Sequence, residues 1–375
     1  MTSSFIKRAL ICSCLLFSQV VQSATKTWDG GDATRSLWSA GTNWDSDIAP
    51  SATDYLILSG TTRLSNTNDF ADGTIFSGIQ FDATAGAFSL YGNRIQSTGG
   101  ITNLSTSLQT IYYNSVVSNS TINCASGAVW VAGVYSNSTT TNIFTKSGTN
   151  MLTFSGTSYV SRAEFVQDGV TFAPGSVWNI AGATQPTGTG IVVSAVTGAS
   201  LVVNNASLIS TANGIQSAGG FIIGNNHGGA GTGSVIQLGG SVNMGNPIRI
   251  ALFTNAAYGS YVVSNGFITL SDRSNSFIQV ARDGVGSFYQ RDSTVTIARA
   301  MNVNTASQAP DPGSAGIPIA FNASGKGTYT VDGGVLNITN QYSYTNAGVG
   351  RTGIWCSISI GVTGTGTVAI WYLRG

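Results

Sequence analysis

The chain has 375 residues with a formal net charge of +1, and only 8% of them are Asp, Glu, Lys or Arg, against roughly a quarter in average proteins. So few charges, with no basic run, exclude the electrostatic footprint of a nucleic-acid binder. The 48 glycines would suit disorder, but 42% of the chain is hydrophobic, with 16 Phe, 13 Tyr and 7 Trp to build a core. A helical protein is disfavoured too, because charged and Ala/Leu-rich helical faces are lacking.

Residues 1–24 read as a secretory signal peptide. Lys7 and Arg8 precede an apolar segment from Ala9 to Phe17, and Val21-Gln22-Ser23 supplies a cleavage site, placing the cut after Ser23 or Ala24. A lipoprotein reading through Cys12 suffers from too short an apolar run. No later run approaches the roughly 20 residues of a membrane-spanning helix, so the mature chain is expected to be exported without a transmembrane segment. Removing the signal leaves Cys124 and Cys356, which a stacked fold would hold far apart, so no disulfide is expected between them. Cys124 alternates like a buried strand position.

Residues 25–60 hold Trp28, Trp38 and Trp44 among Asp, Asn and Gly. They read as an aromatic N-terminal cap over an otherwise open fold edge; a sugar-binding platform is the alternative. From about Asp54 to Ile180 short strands, such as Tyr55–Leu58, Gly78–Phe81, Ala87–Leu90, Val129–Gly133 and Gly169–Phe172, follow at intervals of about 8 to 12 residues, the spacing of an all-β fold. Thr184 to Gly190 reads as a loop between coils.

The second half repeats one phrase: a Gly turn, a short alternating strand, and an Asn/Asp/Gly turn. It runs Gly231-Thr-Gly233-Ser-Val-Ile-Gln-Leu-Gly239-Gly240, returns at Tyr258-Gly259 and Gly284-Val-Gly286, and again at Gly325-Lys-Gly327 and Gly364-Thr-Gly366. Anchored on Gly233, Gly259, Gly286, Gly327 and Gly366, the steps are 26, 27, 41 and 39 residues. A compact unit of that size is one three-sided coil of a parallel β-helix, a β-solenoid whose coils bury their apolar faces on their neighbours. The fold expected is therefore all-β, a right-handed parallel β-helix over residues 61–375. A β-propeller is the alternative, although its blades fit only the longer steps.

Lys146-Ser-Gly148-Thr-Asn150-Met-Leu152-Thr-Phe154-Ser-Gly156 resembles the start of an autotransporter-associated β-strand repeat, with Tyr159, Phe165-Val166, Gly169 and Phe172 following in its pattern. The opening Trp28-Asp29-Gly30-Gly31, Trp38, Asn43-Trp44, Pro50 and Gly60 resembles the leading segment of such chains. So does Phe76-Ser-Gly78-Ile79-Gln-Phe81-Asp82, followed by Gly99-Gly100-Ile101. Asn150 and Phe154 depart from the usual Gly and Leu. The resemblance implies a β-helical passenger region of a secreted or outer-membrane-associated bacterial surface protein. The sequence stops at Arg374-Gly375, inside a repeat and with no barrel or anchor after it, so an incomplete last repeat and end-to-end self-association through an open strand edge are expected.

Catalytic residues are not assigned. Glu164 is the only glutamate and His227 the only histidine, the latter in a Gly-rich loop without the Lys-Ser/Thr of a phosphate cradle. Asp69, Asp72 and Asp82, with Asp45, Asp47 and Asp54 upstream, could supply oxygens to calcium, but turn-stabilising roles fit them better. Arg282 with Asp283 and Arg291 with Asp292 read as outward charge pairs, or as the wall of a groove for an acidic glycan. No metal and no cofactor is expected. The function expected is a non-catalytic structural or adhesive rod with glycans or other surface proteins as partners; a carbohydrate-active β-helix enzyme or glycan-binding module is the alternative.

Overall fold

The computed structural model describes residues 23–118, 121–137, 143–167, 169–180, 190–194, 198–210, 220–224, 230–252, 254, 256–271, 277–303, 316–320, 324–344, 358–360 and 367–370. Residues 1–22 of the signal-peptide segment with Cys12 and Cys14, His227, Cys356, residues 184–189, the repeat glycines Gly364 and Gly366 and the last five residues lie outside them.

All the strand ladders are parallel. One sheet of 13 strands runs in chain order from Thr25–Trp28 to Ile358–Ile360. The rest of the strands form a single 21-stranded sheet by hydrogen bonding. Its register separates it into two ladders that merge only in the 19-residue strands Val285–Val303 and Lys326–Tyr344. One ladder passes through Ser65–Asn68, Ser89–Gly92, Gln109–Ile111, Val129–Val131 and Leu152–Phe154. The other passes through Thr74–Phe76, Ile95–Ser97, Ser115–Val117 and Tyr135–Asn137. The fold is therefore a three-sided parallel β-helix. Its faces are numbered here in the order in which the chain meets them within a coil: face 1 is the 13-stranded sheet, then faces 2 and 3. At about 4.8 Å per coil, face 1 spans roughly 60 Å. A propeller is ruled out, since its blades are antiparallel sheets.

The coil holding Phe221–Ile223 (face 1), Thr232–Leu238 (face 2) and Ser241–Met244 (face 3) shows how sequence sets the path. On faces 2 and 3 every second side chain points inward, so Gly233, Val235, Gln237, Val242 and Met244 are buried while Thr232, Ile236 and Leu238 face out. Left-handed glycines turn the corners, with Gly224 at φ +75° and Gly239 and Gly240 at +71° and +67°. The repeating glycines lie in one row, Gly233 opposite Gly259, Gly286 and Gly327, as the spacing predicts. A β-carbon on Gly259 would come within 2.6 Å of Ile250 Cγ2 and 2.8 Å of the Ile223 carbonyl oxygen. The row thus lets face 1 pass close to face 2.

The interior is a continuous stack, dense in rings near its middle, where Phe154 and Phe172 lie 4.7 and 4.4 Å from Trp178. Further along, Tyr261, Phe288 and Tyr329 stack coil upon coil at 5.2 and 4.7 Å. Face 1 changes character along the rod. Its triplets Ile191–Val193, Phe221–Ile223, Ile248–Ile250 and Ile278–Val280 are buried on both sides, so they do not alternate.

Candidate binding surface on face 2

The tryptophans of 25–60 offer no platform. Trp28, Trp38 and Trp44 are fully buried and meet edge to face, at 5.2 Å between Trp28 and Trp44 and 6.2 Å between Trp38 and Trp44. Strands Thr25–Trp28 and Tyr55–Leu58 within this segment are the first two rungs of face 1. Trp44 bridges antiparallel to Trp28 on the outer edge of the first rung, where the Asn43 carbonyl accepts hydrogen bonds from the backbone N–H groups of Asp29 and Gly30.

The aspartates singled out from sequence do not converge. Asp45 accepts from the Thr27 N–H, Asp54 from those of Ala24 and Ser51, and Asp69 from Ser39. Asp72 pairs with Arg94 at 2.8 Å. Asp82 is partly buried, which would raise its pKa, but hydrogen bonds from Ser59, Thr84 and backbone N–H groups outweigh this and hold it below the usual range. Among the described residues no three His, Cys, Asp or Glu side chains come together as a metal site. Glu164 pairs with Arg162 at 2.5 Å. Cys124 is buried with a free thiol. Lys146, at the head of the repeat-like motif, is fully buried and its Nζ donates to the Gly148 carbonyl at 2.6 Å.

What the fold does assemble is the outer side of face 2. Over four coils the outward positions form rows in register. Thr232, Tyr258, Val285 and Lys326 make one row, and Ser234, Ser260, Ser287 and Thr328 a second. These two rows, with the glycine row between them, line an open groove of ≈ 550 Å³. The next rows are Ile236, Val262, Tyr289 and Thr330, then Leu238, Ser264, Arg291 and Asp332. In the last two coils Tyr289 donates from its hydroxyl to Asp332 Oδ2 at 2.5 Å, and this bond raises the Tyr289 pKa. Arg291 pairs with its neighbour Asp292 at 3.7 Å, both more than half exposed, and Arg282 with Asp283 at 3.5 Å. The exposed Arg291–Asp292 pair contributes little to stability.

Two further aromatics on this face were not singled out from sequence. Tyr91 and Tyr112, outward on successive coils, stack at 4.5 Å with rings 4° from parallel, and are 39% and 41% exposed. Their separation of one coil is the signal that would have found them, but the first half lacks the Gly anchors that reveal coil length. Trp130, on the following coil, donates from Nε1 to Ser155 Oγ at 2.7 Å.

No helix among the described residues is long and apolar enough to cross a membrane. Compared with known proteins, the chain matches no family model, no curated protein and no solved structure.

Proposed function

We propose that this chain is a non-catalytic, exported rod of the autotransporter-associated passenger kind, acting at or beyond the bacterial surface as a structural or adhesive element through face 2. The observation that carries this reading is the row Ser234, Ser260, Ser287 and Thr328, which offers a hydroxyl at every coil on an exposed face. Hydroxyls repeated at a fixed period suit many weak hydrogen bonds to a repetitive partner, gaining strength by number. The test is to incubate the purified chain with a panel of polysaccharides and with bacterial cells, measuring retention and new reducing ends. Retention without cleavage is the expected result. Cleavage of any polymer would overturn the passive reading.

A second reading, a carbohydrate-active enzyme on the same fold, has one observation in its favour: the Tyr289–Asp332 hydrogen bond beside Arg291 on an exposed face. A tyrosine coupled to a carboxylate can move a proton, and a guanidinium can neutralise an acidic sugar. If cleavage is seen, its loss in Tyr289→Phe would assign the chemistry to this cluster.

A further inference from the structure

The groove at the start of face 2 has a composition and a period that narrow its ligand. Four coils line it, and each gives one inward glycine and, in the row after it, one outward Ser or Thr in strict register. The hydroxyls therefore repeat at the coil rise of about 4.8 Å along the rod axis. An extended β-1,4-linked pyranose chain advances by nearly the same length per sugar. A chain laid along the axis thus meets an equivalent hydroxyl at each residue, whereas a chain laid across the strands does not.

Two side chains of the flanking row, Tyr258 and Lys326, set it apart from the hydroxyl row. Tyr258 is 52% exposed, although the ring at the inward position of the same coil, Tyr261, is fully buried. An exposed aromatic ring offers an apolar face on which a pyranose can stack. Lys326 is exposed two coils further on, and among the described residues it is the only charged one of the lining. Among the described residues no carboxylate lines the groove. Its charge complementarity is therefore with an anion, and at a single point of a hydroxyl-lined track.

We propose that this groove binds an extended β-1,4-linked uronate chain, about four sugars long, running along the rod axis. In this arrangement Ser234, Ser260, Ser287 and Thr328 hydrogen-bond successive sugars, Tyr258 carries one ring, and Lys326 pairs with a carboxylate. The inference rests on the adhesive reading above, and it adds the ligand class, its direction and the residues that hold it.

The experiment uses the full chain, with two probes of equal length and linkage: tetrameric β-1,4-mannuronate and neutral cellotetraose. Titration calorimetry at low and high salt should show the acidic tetramer binding about tenfold more tightly, with an advantage that shrinks as salt is added. Lys326→Gln should bring the acidic tetramer down to the neutral level, and Tyr258→Ala should weaken both. Both side chains point outward, so circular dichroism should be unchanged, and the salt titration of the unsubstituted chain tests the charge without any substitution. Equal affinity for the two tetramers, binding insensitive to both substitutions, or no binding of either tetramer would overturn the groove as the site. If long polysaccharides or cells still retain the chain in that event, the adhesive reading stands without it. Cleavage of the bound tetramer would instead keep the site and end the passive reading.

Discussion

The hydroxyl of Tyr261 donates a 2.9 Å hydrogen bond to Oε1 of Gln237, a fully buried side chain one coil earlier. The amide Nε2 of Gln237 donates in turn to the carbonyls of Gly240 and Phe267, tying the corner of its own coil to the next. Tyr329 and Gln290 repeat the device, with Gln290 Nε2 bonded to the carbonyls of Ser293 and Val335. The polar atoms of a buried glutamine are thus satisfied without water, by a tyrosine that also belongs to the ring stack.

Tyr261→Phe keeps the ring and removes the donor, leaving Gln237 Oε1 unpartnered in the core. That should cost about 1–3 kcal/mol. Gln237→Leu should cost at least as much, because the Tyr261 hydroxyl loses its acceptor and the Gly240 and Phe267 carbonyls each lose a hydrogen bond. The double substitution should cost less than the sum of the two, since each orphans the other's group. Thermal unfolding of the three variants checks this; additive losses would show that the two side chains act independently.

A second device lies at the corner between faces 1 and 2. Gly224, Ala251, Ala281 and Ala320 form a row at that corner with φ of +75°, +53°, +61° and +52°. Each backbone N–H donates at 2.9 Å to a face 1 carbonyl one coil back. Ala281→Gly relieves about 1–2 kcal/mol of left-handed strain but loses a buried methyl and stiffness, together about 1–2 kcal/mol, so it should be close to neutral. Ala281→Val has no such compensation and should destabilise by about 2 kcal/mol or more. Gly259→Ala should do likewise, through its contact with Ile250. Urea midpoints of the three variants separate these cases, and a tolerated Ala281→Val would show that the corner is not left-handed.

The period of the second half was legible because its glycines fall where face 1 leaves no room for a β-carbon, so they recur in register from coil to coil. The first half carries the same three faces, but its corners mix left-handed glycines such as Gly92 and Gly175 with polar side chains such as Asn68, bonded to the Asn93 carbonyl, so no single residue type marks the coil. It therefore read only as short strands at regular intervals. Face 1 was obscured for a different reason. Triplets such as Phe221-Ile-Ile and Ile278-Gln-Val are buried on both sides, which removes the alternation that identifies a strand. The groove was out of reach of local reading, because Tyr258 and Lys326 become neighbours of one track only through the register of coils of unequal length.

Asp32 gives the first coil a dependence on acid. Its carboxylate accepts the N–H groups of Thr34 and Arg35 at 2.9 and 2.8 Å and the Thr42 hydroxyl at 3.0 Å. These bonds, the two backbone ones first, hold its pKa well below the usual aspartate range. A lowered folded pKa stabilises the protein above the unfolded value near 4, and that contribution disappears as the pH falls below it. Asp32→Asn should lower the melting temperature at pH 7 and flatten its fall between about pH 5 and 2. A melting temperature that falls with pH as steeply as in the unsubstituted protein would count against this assignment.

Burial pushes the Cys124 thiol up to about 11, with nearby Lys146 opposing the shift. The thiolate is the reactive form, so at neutral pH the folded protein should resist alkylation while the urea-unfolded chain reacts readily. Equal rates in the two states would place the thiol at the surface.

Trp44 tests how the rod begins. Its indole N–H donates to the Trp38 carbonyl at 2.8 Å, its ring packs edge-on against Trp28, and its backbone closes the outer edge of strand Thr25–Trp28. Trp44→Ala should cost about 3–5 kcal/mol of packing and leave that edge free to pair with other chains. In a solenoid each coil is held by its neighbours, so the loss should spread from the damaged end rather than evenly. Hydrogen exchange should then show protection falling first in residues 25–81, while the Tyr261–Phe288 stack keeps its protection. The variant should also associate at concentrations where the unsubstituted protein does not. Uniform loss of protection along the rod would mean that the coils unfold as one unit and that Trp44 is an ordinary core residue rather than the closure of the first rung.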